Sequence, residues 1–217
     1  MAFRILLDAC VLLPYQLCDL LLRLAEDDMY EPLWSGEILD EVERNLATTF
    51  KKTPEQARRR IGHMRAAFPF AAVDNYEVLM SAMTNHPKDR HVLAAAVRGG
   101  AAFIVTANLK DFPTDALARY DIEAIHPDDF LQDQLDLDPD RTIRCIAQQR
   151  DDYTRPALTF DDFYRAMHAT VPVFADRAAA VERERFDPDA PLPLEIVSSE
   201  EALHAFFPDG GPQPETQ

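Results

Sequence analysis

Phe3-Arg4-Ile5-Leu6-Leu7-Asp8 is a short apolar run closed by an acid, and its reading decides the fold. Residues 3–7 have the length and composition of a buried strand. Strand-like and helical segments then alternate. Pro14–Glu26 reads as a helix, with Leu17, Leu20, Leu21 and Leu24 at helical spacing, and a strand is expected near Tyr30–Leu33. Ser35 offers an N-cap for a helix to about Thr49, and Pro54 starts another to about Ala67. A short strand is expected at 71–74. Pro87 opens a helix that Gly99-Gly100 closes, and strands follow at Ala102–Thr106 and Ile122–Ile125. Strands separated by helices imply a parallel sheet of about five strands covered on both faces, a three-layer α/β/α arrangement.

Beyond about Leu131 the strand signals stop. Residues 139–153, 159–169 and 172–185 read as helices, a C-terminal helical extension. From Phe186 proline and acid dominate, so the end of the chain is expected to be partly disordered; Leu194–Val197 and Glu201–Phe207 retain enough apolar character to dock. The expected organisation is 1–132, 133–186 and an acidic tail at 187–217.

Composition excludes several classes. Cys10, Cys18 and Cys145 form no CxxC pair, which argues against a zinc site or a disulfide scaffold and for a reducing cytoplasm. No run approaches the roughly 20 apolar residues of a membrane span. The formal net charge of −16 runs against phosphate binding, but the tail, with acids and no Lys or Arg, holds much of it. Lys51, Lys52, Arg58, Arg59, Arg60 and Arg65 run the other way. They suit a phosphate-backbone track or a solvated helix face equally well.

Three separated acids carry the chemistry. Asp8 follows a strand, at the edge where open parallel sheets bind ligands; a turn or N-cap role is the alternative. A phosphatase using the same strand-end Asp would need a second Asp two residues on, where this chain has Cys10. On the helix after Ser35, Ile38, Val42 and Leu46 mark the buried face, and Glu41 and Glu43 flank it about equally. Asp89 shares the inward face of Val92 and Leu93 in a helix's first turn, where an acid also favours the helix dipole. His91 points elsewhere and reads as structural. Thr106, Asn108 and Asp111 follow the strand at 102–105, where Thr106 can bond a carboxylate or water, Asn108 a water or phosphate, and Asp111 can add a carboxylate or cap a turn. Carboxylates gathered without basic partners repel unless a hard cation lies among them. The leading expectation is a Mg²⁺- or Mn²⁺-dependent site that cleaves phosphodiesters. A receiver-type signalling domain would need paired acids after the first strand, which are absent.

Taken in order, Leu7-Asp8-Ala9-Cys10-Val11-Leu12, Ile38-Leu39-Asp40-Glu41-Val42, Asp89-Arg90-His91-Val92-Leu93-Ala94-Ala95-Ala96, Ile104-Val105-Thr106-Ala107-Asn108-Leu109-Lys110-Asp111-Phe112-Pro113 and His126-Pro127-Asp128-Asp129-Phe130-Leu131 resemble the PIN domain, in detail the VapC-like toxin nucleases. The resemblance covers about residues 1–132. It implies a PIN-like fold and a Mg²⁺- or Mn²⁺-dependent endoribonuclease. The implied metal carboxylates are Asp8, Glu41 and Asp89, which selects Glu41 over Glu43. Many members of the family carry an acid where this chain has Asn108, so Asp111 is the candidate fourth ligand. The resemblance further implies an RNA substrate, a small antitoxin and a homodimer; the basic stretch read from the charge pattern, Lys51, Lys52, Arg58, Arg59 and Arg60, is the candidate to hold that RNA. The alternative is an inactive PIN-like binding module.

Overall fold

The computed structural model describes residues 3–154 and 157–185, with Arg185 described by its backbone alone. Residues 187–217, including the two segments expected to dock, lie outside the described residues.

Five strands, β1 (Arg4–Leu7), β2 (Glu31–Ser35), β3 (Ala72–Val73), β4 (Phe103–Val105) and β5 (Glu123–Ile125), form one parallel sheet in the order β3-β2-β1-β4-β5. The chain builds outward from β1 to β3, then returns to β1's other side for β4. The switch point therefore lies between the carboxyl ends of β1 and β4.

The helices around this sheet are α1 (Ala9–Leu12), α3 (Gly36–Thr48), α4 (Pro54–Ala67), α5 (Arg90–Gly99) and α6 (Thr114–Leu117). Local chemistry fixes their ends. The Ser35 hydroxyl accepts from the Ile38 N–H at 3.2 Å, Thr53 and Gln56 cap each other at the start of α4, and Gly100 ends α5 with φ of +66°. α5 runs across β1 to β4. A Cβ on Gly99 would lie 2.6 Å from Leu33 Cδ1, so the glycine permits this close approach. Leu33 and Trp34 are successive residues of β2 and face opposite ways. Leu33 meets α5, while the Trp34 ring packs edge-on against Phe68, the residue that ends α4. Helices thus cover both faces of the sheet.

The chain divides into two compact units that are not contiguous in sequence. Among the described residues, one contains 3–13 and 28–127; the other contains 14–27, 128–154 and 157–185. The second unit takes α2 (Tyr15–Glu26), nearly all of α7 (Pro127–Leu137), α8 (Pro139–Asp152), α9 (Phe160–His168) and α10 (Pro172–Arg185). Leu17, Leu20, Leu21, Leu22 and Leu24 of α2 are buried, and α2 packs against α8 and α9. Asp19 and Arg23 are buried on the same helix. Arg23 Nε donates to Asp19 at 2.9 Å and Nη2 to Asp152 at 2.7 Å, while the Tyr153 hydroxyl donates to Asp19 at 3.2 Å. Asp128 caps α10, accepting from the N–H groups of Val173 and Phe174 at 3.1 and 2.7 Å.

Candidate metal centre

The register of β1 against β4 pairs Leu7 with Val105. The next residues, Asp8 and Thr106, consequently leave the sheet side by side at the switch point. The Thr106 hydroxyl donates to Asp8 Oδ2 at 2.7 Å, and the Ala9 N–H donates to Oδ1 at 2.7 Å. Asp8 is thus the N-cap of α1 and is held from both sides, with lone pairs left for a further partner. The Cys10 thiol bridges this pair, 3.2 Å from Asp8 Oδ2 and 3.4 Å from Thr106 Oγ1. Burial, then the charge of Asp8, push that thiol up to about 12, which makes it a neutral hydrogen-bonding group. The Asn108 N–H donates to Thr106 Oγ1 at 3.0 Å, leaving the Asn108 side chain exposed at the mouth.

Asp89 ends a 3₁₀ turn, Pro87–Asp89, just before α5. Asp111 ends a second, Leu109–Asp111, just after β4. The His86 N–H ties the turns together by donating to the Asp111 carbonyl at 3.1 Å. One donor atom each from His86, Asp89 and Asp111 lies within 4.8 Å of the others. Burial raises the Asp89 carboxyl above its ordinary range, followed by the charges of Asp8 and then Asp111; His86 works the other way. Among the described residues none of these three aspartates is paired with Lys or Arg. Repelling oxygens without a basic partner, plus one imidazole, are a donor set that fits a divalent cation.

Glu41 is half-buried on α3 and stands outside the 4.8 Å group, as does Asp8. Glu43 lines an open groove of about 410 Å³ with Asp40, Arg44, Ala47, Pro54 and Ala57. Two residues turn a helix by about 200°, so Glu41 stands on the far side of α3 from Glu43. It shares a ridge with Glu37, whose carboxylate lies 3.4 Å from the Tyr76 hydroxyl and 3.9 Å from His91 Nδ1. His91 is buried, two residues past Asp89.

The basic stretch divides. Lys51, Lys52, Arg58, Arg59 and Arg65 are exposed, and Arg58 meets Glu55 at 3.2 Å. Arg60 requires a correction: it is buried, and its guanidinium donates to the carbonyls of Leu12 and Leu13, at 2.6 and 3.3 Å, at the end of α1. Those carbonyls need a donor, so Arg60 is a helix-end clamp and no part of an RNA track. Sequence reasoning does not single out His86 or Cys10. A histidine three residues before Asp89, across Pro87, is the available signal for the first.

Residues 4–110 match the family model described as PIN domain, and residues 127–180 match that of the VapC50 C-terminal domain. A protein of Mycobacterium tuberculosis (strain ATCC 25618 / H37Rv), described as "Putative ribonuclease VapC50", is 46% identical over 134 residues, covering 62% of this chain and 75% of that protein. No solved structure matches the chain.

Proposed function

The chain belongs to the PIN-domain family in its VapC-type branch, and on that premise we propose that it is a Mg²⁺- or Mn²⁺-dependent endoribonuclease, the toxin of a toxin–antitoxin pair. The observation that carries the reading is the pairing of Asp8 with Thr106 at the switch point, with Asp89 close enough to feel the charges of Asp8 and Asp111. Asp8, Glu41, Asp89 and Asp111 would hold the cation. When bound, it supplies Lewis acidity toward a phosphate oxygen and a lowered pKa for water.

The chain's own residues do the rest. Thr106 and Ala9 fix the orientation of Asp8. Asn108 offers an exposed amide to a phosphate oxygen or a water. Lys51, Lys52, Arg58 and Arg59 would hold the RNA backbone. The protein would act in the cytoplasm, where its substrate is. A cognate antitoxin would restrain it, and family membership supports a homodimer; sedimentation with and without the product of the adjoining reading frame tests both.

Cleavage of total bacterial RNA with Mg²⁺, Mn²⁺ or EDTA tests the reading. Wild type is expected to cut only with metal, and Asp8→Asn to lose about 100-fold or more, since even groups that only orient metal ligands are worth about 10–100-fold. A folded, antitoxin-free wild type that neither cuts RNA nor binds metal would sink it and leave a binding module.

A further inference from the structure

We propose that His86 is a donor to the same cation as Asp89 and Asp111, and that its nitrogen biases the centre toward Mn²⁺ over Mg²⁺. This rests on the metal-dependent reading above.

Three observations converge on His86. The first is distance. Neighbouring donors of an octahedral ion, each about 2.1 Å from it, are about 3.0 Å apart. His86 Nδ1 and Asp89 Oδ2 are 3.3 Å apart, and a donor atom of Asp111 completes the 4.8 Å group. The second is rigidity. The His86 N–H holds the Asp111 carbonyl, its own carbonyl accepts from the Asp89 N–H at 2.9 Å, and the adjacent Asn85 amide donates to the Asp89 carbonyl at 2.9 Å. The backbone under the ring is therefore tied to both aspartate turns, so the imidazole is carried to this position by the loops that carry the acids. The third is chemistry. Mg²⁺ favours oxygen and keeps its waters, whereas imidazole raises affinity for transition ions. One imidazole among carboxylates leaves a centre that still accepts Mg²⁺ but ranks Mn²⁺ above it.

The test is direct binding by the full-length chain. Mn²⁺ is titrated by electron paramagnetic resonance, Mg²⁺ is read by competition, and pulsed spectra report nitrogen coupled to the bound Mn²⁺. The variants are His86→Ala and His86→Gln; the glutamine can keep a hydrogen bond to Asp89 but lacks the imidazole nitrogen. Wild type is expected to show nitrogen coupling. Both variants should lose it together with about 10-fold or more of Mn²⁺ affinity, while Mg²⁺ affinity falls far less. Wild-type spectra without nitrogen coupling, equal losses for both ions, or full Mn²⁺ affinity in His86→Gln would overturn the proposal and leave the metal centre standing. A wild type that binds neither ion would overturn the proposal and the functional reading together.

Discussion

Asp89 shows what the centre costs the fold. Its carboxyl is raised by burial, then by the charges of Asp8 and Asp111. A carboxyl raised in the folded state binds more protons there than in the unfolded chain. Asp89's own contribution to stability is therefore fully present below the ordinary aspartate range, about pH 4, and is lost as pH rises through the raised value. In EDTA at neutral pH, Asp89→Asn should raise Tm by about 2 °C or more, with the gain fading toward pH 4; an unchanged or lower Tm across that range would refute the repulsion. The same substitution should abolish metal-dependent cleavage, the trade expected where a site is built at the expense of stability. Asp8, Asp89 and Asp111 are legible in the sequence because strand ends and helix starts are local signals. Cys10 and His86 are not: the first acts through a partner 96 residues away, the second through a turn formed by two loops.

At the scale of elements, α4 illustrates how a run of like charges separates once it is wound. The spacing shows a cluster of cations in a short stretch, but only the folded helix turns Arg60 inward onto the end of α1 and leaves its neighbours outward. Charge reversal of Lys51, Lys52 and Arg58 should weaken RNA binding and lower its log–log salt slope by about 0.7 for each single-strand phosphate no longer neutralised. Unchanged affinity and slope, measured by filter binding across salt, would remove Lys51, Lys52 and Arg58 from the interface. Ser35, Pro54 and Gly100 mark helix ends correctly because caps depend on one or two residues. α1 is not readable in the same way: four residues are too few for periodicity, and Asp8 serves both as its cap and in the site.

For the whole molecule, the division into units is the least legible property. The pattern of α2 gives an apolar face but not what covers it, and its partners α8 and α9 lie far along the chain, beyond the whole of the first unit. The buried Arg23 joins α2 to α8 through Asp19 and Asp152. Arg23→Leu should cost about 3–5 kcal/mol in denaturant unfolding, because Asp19 is left buried without its cation. Adding Asp19→Asn should recover part of that loss. No loss in the single variant would mean that the pair is not a strut of the second unit.

The ribosome meets the same arrangement as a matter of timing. Between α2 and the first residue of its remaining unit come Asp28–Pro127, which take about 5–20 s to synthesise at roughly 5–20 residues per second. Through that interval a leucine-rich helix has emerged with neither α8 nor α9 yet made, a natural opening for a holding chaperone. The second unit is complete only once the helices that follow that interval have been made.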